Sequence, residues 1–313
     1  VSTPPERHGT QAGPPACVRH PDRPTGLSCT RCGRPACPEC LVDASVGQQC
    51  VDCVRQGSRG TRTPTTVAGA RIGGKPVLVP ALIAVNVVMF LVTVAQAGGL
   101  FTNDTAPLFR ALSEFTPSVV DGQFWRPVTS AFLHFGPLHL LVNMVALWFM
   151  RDIEALLGRV RYALVYGLSL LGGSAASFAF GDLDGQGAGA SGAIYGLLGG
   201  LIVAVIRLKL DKHVLMTVVG VLAVNLAISV SITQISLLAH VGGLLVGAFV
   251  TYGMVYAPPA HRKVWQALTC AAVAVVLVGL FFVRAGQLSD VVYCDNATTL
   301  DCYQRVPAPG VDT

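Results

Sequence analysis

Charge is what this chain has least of. Only 12% of its 313 residues are charged, where a soluble domain carries about 25%. Nearly all of that deficit falls after Lys75, which excludes a water-facing fold for most of the length. No line of carboxylates crosses the apolar stretches and no inverted repeat is visible, which argues against a transporter or channel. The serine motif at Gly189-Ala190-Ser191-Gly192-Ala193 has Ala193 where a nucleophile elbow needs its second glycine. With no strand pattern around it, an α/β-hydrolase is excluded too.

What is present is a series of long apolar runs. Seven reach the length of a membrane span: Val77–Ala97, Leu138–Leu157, Tyr162–Phe180, Ser191–Leu208, Val214–Ser231, Ser236–Tyr256 and Leu268–Val283. Gly158 and Pro258-Pro259 punctuate them as helix ends. The first run lies behind a Cys-rich region, too far along to be read as a signal peptide. These runs predict an all-α polytopic membrane helix bundle with a small N-terminal domain.

The net charge of +5 follows from topology and requires no nucleic acid. Arg151, Arg159, Arg161, Arg207, Lys209, Lys212, Arg262 and Lys263 fall in alternate loops, in phase with the basic residues before Lys75. The intervening loops hold Asp104, Glu114, Asp121, Asp182, Asp184, Asp290, Asp295 and Asp301. By the positive-inside rule this predicts a multi-pass plasma-membrane protein with a cytoplasmic N-terminus and an external C-terminus.

Before the first span stand four spaced pairs: Cys17-x2-His20, Cys29-x2-Cys32, Cys37-x2-Cys40 and Cys50-x2-Cys53. Eight such ligands suffice for two tetrahedral Zn²⁺ sites. The segment has too few large apolar residues for a core, so metal would supply its folding energy. Disulfides or redox-active CxxC motifs are the alternative. His20 cannot join a disulfide, and a cytosolic location is reducing. The expected role is structural or docking, with a cytosolic protein partner. Cys270 reads as an apolar filler, while Cys294 and Cys302 in the external tail are expected to pair as a disulfide.

Two polar residues on Gly-rich apolar helices carry the chemical expectation. A polar loop delivers Ser191 to the start of a helix, whose free N–H groups suit an oxyanion. An N-cap role for Ser191 is the plain alternative. His240 opens another such helix, where a titratable ring is costly unless it meets a partner or cavity. Gly192-x3-Gly196 and Gly243-x3-Gly247 form small-residue faces that let the two helices approach closely. That approach predicts a Ser191–His240 dyad within hydrogen-bond reach, with no acidic third member. His134, His139 and Asn143 form a third cluster, His139 and Asn143 on one helix face. They read as oxyanion donors or as interhelical hydrogen-bonding groups, with a metal site disfavoured for want of further ligands.

Together these elements resemble the rhomboid family of intramembrane serine proteases over roughly Lys75 to Tyr256. The resemblance is carried by Gly189-Ala190-Ser191-Gly192, by Ala239-His240-x2-Gly243-x3-Gly247, and by His134, His139 and Asn143. Trp125-Arg126 and the run Glu154, Gly158, Arg161, Tyr166 also fit. It implies a catalytic Ser191–His240 dyad in a water-filled cavity and an oxyanion site from the Ser191 N–H, His139 and Asn143. It implies that Tyr195 packs on the His240 ring and that Trp125 and Arg126 anchor the first loop. Its substrates would be membrane-anchored proteins cut in or near a transmembrane segment. Gln123 departs from the acidic residue the family often has at that place. A rhomboid-like protein without activity, acting in membrane-protein binding or quality control, is the second reading. The Cys/His segment resembles B-box-type zinc fingers, which implies that pairs one and three share one metal and pairs two and four the other.

The resulting organisation is a disordered stretch at 1–16, a double zinc module at 17–55 and a flexible linker at 56–76. A six-helix protease core at 77–256, a seventh helix at 257–284 and an external tail at 285–313 follow.

Overall fold

The computed structural model describes residues 13–59, 64–231 and 236–289, with the backbone at 293–294 and 302–303; the side chains of 228 and 231 are not among those described. The chain forms two compact units, Val1–Pro64 and Thr65–Thr313. The expectation of disorder for residues 1–12 and of a linker at 60–63 lies outside the described residues.

In the first unit β1 (Ala16–Cys17) pairs with β2 (His20–Pro24), and β3 (Leu41–Asp43) with β4 (Gln48–Cys50), both antiparallel. Helix α1 (Val51–Arg59) follows. Its buried cluster is Ala36 and six cysteines, so no ordinary apolar core forms.

The second unit is helical. It runs through α2 (Leu78–Ala97), the short α3 (Pro107–Leu112), β5 (Glu114–Phe115), α4 (Thr116–Val120) and α5 (Arg126–Thr129). Then come α6 (Gly136–Phe149), α7 (Arg151–Leu157), α8 (Arg159–Phe180), β6 (Gln186–Gly187), α9 (Ser191–Leu208), α10 (Lys212–Ser231), α11 (Leu237–Val255) and α12 (Arg262–Leu288). A last pair, β7 (Tyr293–Cys294) with β8 (Cys302–Tyr303), sets Cys294 opposite Cys302 in the backbone ladder. The disulfide expected there involves side chains outside the described residues.

Among the described residues, five helices are long and apolar enough to cross a membrane, as expected of a polytopic bundle. A sixth is counted if Arg126–Phe132 and Gly136–Leu157, bent by 92°, make one span. The expected span 138–157 is thus not a single rod: α6 stops at Phe149 and α7 begins at Arg151. The fifth expected span falls on α10, which runs for 20 residues from Lys212 to Ser231.

Burial orders these helices. In α8 and α9, 61% of the most apolar stretch is buried inside the protein, against 22% in α2 and 17% in the stretch that includes α12. Side chains such as Val88, Leu91, Val275 and Phe282 are left exposed on the outer helices, where lipid is their natural solvent. At the centre, glycines bring backbones into contact. A Cβ on Gly243 would fall on the Gly192 carbonyl, and one on Gly247 on the Gly196 carbonyl. One on Gly173 would lie 2.7 Å from the Ala239 carbonyl oxygen. The small-residue faces read in the sequence are therefore seams between α9 and α11 and between α8 and α11.

The stretch 56–76, expected as a flexible linker, is structured at both ends. Helix α1 runs to Arg59, and Thr65 bridges Arg71. Thr66 Oγ1 donates to the Leu156 carbonyl at 2.6 Å, and Ala68 is fully buried. Gln266 Nε2 donates to the Ala68 carbonyl at 3.1 Å. Small side chains allow this: Gly158, at φ +77°, leaves only a 3.0 Å gap between a built Cβ and Ala70. Glu154 completes that end by accepting from the N–H groups of Val77 (2.7 Å), Leu78 (2.9 Å) and Val79 (3.0 Å). It satisfies donors that the start of α2, which has no side-chain cap, would leave open.

Candidate active site and candidate metal centres

Ser191 is reached through a strapped loop. β6 pairs with β5, and Gln186 Nε2 donates to Ser113 Oγ at 2.6 Å. Gly189 then donates its N–H to the Ser130 carbonyl at 3.0 Å with φ +131°. The His139 ring lies directly over it, since a Cβ there would be 2.9 Å from Nε2 and 2.8 Å from Cε1. Only glycine fits both the conformation and the space. Ser191 is the first residue of α9, and the cap position belongs to Ala190, without a side-chain cap bond. The N-cap alternative for Ser191 is therefore set aside, and its hydroxyl has no hydrogen-bond partner among the described residues.

Facing α9, α11 opens with Ser236, whose Oγ accepts the Ala239 N–H at 3.1 Å. One turn on, His240 is buried. Its ring stacks on Tyr195, centroids 3.9 Å apart and planes 9° from parallel. Among the described residues, Ser191 and His240 make no direct hydrogen bond. The glycine seam between the helices that carry them is nonetheless closed. Instead, His240 Nδ1 lies 2.8 Å from Ser229 Oγ, a residue the sequence reading did not single out. Its signal was the i, i+4 polar pair Asn225 and Ser229 on a mostly apolar helix.

His139 and Asn143 share one face of α6. The Phe135 N–H donates to His139 Nδ1 at 3.3 Å, which leaves Nε2 as the protonated nitrogen, beside Gly189. Asn143 Nδ2 donates to the His139 carbonyl at 2.9 Å, while its buried Oδ1 has no partner among the described residues. One of the two amide protons of Asn143 is thus engaged within its own helix. His134 is fully buried, edge-on to His139 at 5.1 Å.

In the first loop Trp125 is 52% exposed while Arg126 is buried. Arg126 Nη1 donates to the carbonyls of Arg110 (2.7 Å) and Ser113 (2.8 Å), and its Nε to Gln123 Oε1 at 2.7 Å. The amide of Gln123 thus takes the guanidinium contact. Nearby, Glu114 is buried with Oε1 unpartnered among the described residues. Burial pushes its carboxyl up to about 7, only partly offset by the Ser174 hydroxyl.

In the first unit the ligand pairs interleave. Cys17, His20, Cys37 and Cys40 form one cluster and Cys29, Cys32, Cys50 and Cys53 the other, all ligand atoms within 4.8 Å. A tetrahedral zinc with Zn–S near 2.3 Å sets its sulfurs about 3.8 Å apart. Cys32 and Cys50 Sγ are 3.8 Å apart, and His20 Nδ1 stands 3.3 to 3.9 Å from its three sulfurs. Arg34 adds donors to Cys32 Sγ (3.4 Å) and Cys50 Sγ (3.9 Å), the outer support that thiolate sites commonly carry. Both clusters could hold a metal, and the spacing fits zinc.

Comparison with known proteins agrees with this architecture. A family model described as Rhomboid domain matches residues 121–257. The chain is 32% identical over 215 residues to Rhomboid protease GluP of Bacillus subtilis (strain 168), covering 67% of this chain and 41% of that protein. It is 34% identical over 138 residues to Putative rhomboid protease YdcA of the same organism, covering 43% of this chain and 69% of that one. With RHOMBOID-like protein 1 of Arabidopsis thaliana the identity is 35% over 130 residues, 40% of this chain and 33% of the relative. The chain thus spans well under half the length of GluP and of the Arabidopsis protein.

Proposed function

The chain belongs to the rhomboid family of multi-pass membrane proteins, and we propose that it is an intramembrane serine endopeptidase working through Ser191 and His240. The observation that carries this is the glycine seam between α9 and α11, which holds the Tyr195 ring flat on His240 one turn from Ser191.

In the proposed reaction His240 Nε2 takes the Ser191 Oγ proton as Oγ attacks a peptide carbonyl carbon. The oxyanion is received by the Ser191 N–H at the start of α9 and by His139 Nε2–H, with the remaining Asn143 amide proton as a further donor. His240 then protonates the leaving amine, and water releases the acyl group. Lacking a carboxylate behind its base, the dyad turns over slowly. Substrates are membrane-anchored proteins whose transmembrane segment is cut in or near the bilayer, at the face where Ser191 opens α9. The N-terminus is cytoplasmic and the C-terminus external, in the plasma membrane. The Cys/His unit holds two structural Zn²⁺ ions and docks a cytosolic protein partner.

The missing Ser191–His240 hydrogen bond favours one rival, an inactive membrane-protein binding or quality-control factor. Labelling the purified protein with a fluorophosphonate probe separates the two. Wild type should label and cleave a model transmembrane substrate, and Ser191→Ala and His240→Ala should do neither. Equal cleavage by wild type and Ser191→Ala would remove the protease reading.

A further inference from the structure

A histidine that acts as a base must present one nitrogen bare, and the hydrogen bond at the other decides which. Ser229 makes that bond to His240. Both side chains are buried, at 4% and 5% exposure, so little water competes for the contact. A hydroxyl offers one proton and two lone pairs. Ser229 Oγ lies 2.9 Å from the Asn225 carbonyl, which can only accept. It lies 2.8 Å from His240 Nδ1 and 3.4 Å from the Tyr195 hydroxyl.

Two proton arrangements are open. If Ser229 donates to Nδ1, the bond to the Asn225 carbonyl is lost and the His240 proton sits on Nε2, where no base can form. If Ser229 donates to Asn225, its oxygen accepts from Nδ1–H and from the Tyr195 hydroxyl. Every group is then satisfied, and Nε2 keeps its lone pair.

The placement is also selective. Along α10 the described side chains are exposed or half-buried except Ser229. A helix anchored only for packing would bury an apolar side chain at its contact point, and this one buries a hydroxyl against the His240 ring.

The geometry points to Ser229 as a positioning residue that holds His240 in the Nδ1–H tautomer and supports the imidazolium formed when Ser191 gives up its proton. The inference rests on the reading of Ser191 and His240 as the reacting pair. Ser229 itself neither gains nor loses a proton: the Ser191 Oγ proton goes to Nε2, and the new bond joins Oγ to the substrate carbonyl carbon.

The test uses full-length protein in detergent, labelled with ¹⁵N-histidine, with His240→Gln assigning the His240 signals. Wild type should show His240 protonated on Nδ1 near neutral pH, and Ser229→Ala should shift population to the Nε2–H form. Against a model transmembrane substrate, Ser229→Ala should lower kcat about ten-fold, with KM within about two-fold. Ser229→Thr, which keeps the hydroxyl, should restore both tautomer and rate. A wild-type His240 protonated on Nε2, or a tautomer ratio that Ser229→Ala leaves unmoved, overturns the inference. So does an unchanged kcat in Ser229→Ala when wild type outpaces Ser191→Ala. Cleavage equal in wild type and Ser191→Ala would instead strike the protease reading, and the nitrogen spectra would still decide the tautomer.

Discussion

Between Cys17 and Arg59 the buried apolar side chains are six cysteines and one alanine. In the helical unit, by contrast, the tightest contacts are backbone against backbone, Gly243 on Gly192 and Gly247 on Gly196. The first unit brings together groups that repel or go unsatisfied without a metal. The second brings together groups with nothing to satisfy, so that van der Waals packing holds it. One is therefore vulnerable to loss of a ligand and the other to gain of a methyl group, and perturbation can tell them apart.

The largest effect should come from a chelator. Structural zinc in small domains contributes about 10–16 kcal/mol, so stripping metal from the intact protein should expose 17–59 to limited proteolysis. Metal analysis should give two zinc ions per chain, and the helical unit should keep its melting profile. A chelator-resistant first unit would erase the contrast. Next, Gly243→Val or Gly247→Val should cost about 3 kcal/mol by overpacking and abolish cleavage, read as a lowered melting temperature in detergent and lost probe labelling. Glu154→Ala leaves the first N–H groups of α2 without their acceptor and should cost about 2 kcal/mol, measured the same way.

A pH-graded effect tests Glu114. Its carboxyl titrates near 7 when folded, against 4.5 when free. As pH rises between those values the unfolded chain gives up its proton first, so stability falls over that window and is level on either side. Glu114→Gln should flatten that slope in melts taken from pH 4 to 8. Smallest of all should be Gly220→Ala and Gly279→Ala. A Cβ at either helical site meets nothing within 4 Å, so stability should be unchanged or raised by up to about 1 kcal/mol. A large loss at these positions would mean that the contrast between seam glycines and lipid-facing glycines is misdrawn.

The readable parts of this molecule were those whose cause is local. Apolar run length gave the helices, and the two-residue gaps gave the ligand pairs, while how those pairs combine into sets came only from the resemblance to B-box-type fingers. Gly192, Gly196, Gly243 and Gly247 gave two faces able to meet. Contacts with distant causes escaped the reading. Nothing near Ala68 announces that Gln266 will bond its carbonyl, so 64–76 read as linker. The break at Met150 hides inside a continuous apolar run. Ser229 looked like one more small residue on an apolar helix, because its meaning lies in a ring eleven positions on. Hydropathy cannot record such pairings, since it scores each residue against solvent and not against its neighbour.

Glu154 stands 77 positions after Val77, whose amide it holds. During synthesis the opening turn of α2 therefore emerges long before its acceptor exists, roughly 4–15 s at 5–20 residues per second. Throughout that interval the first amides of α2 lack their acceptor, while its far end already has partners in Asn103 and Leu108. The two ends of one helix are therefore secured at different times, its opening turn only when the acid in the middle of α7 arrives.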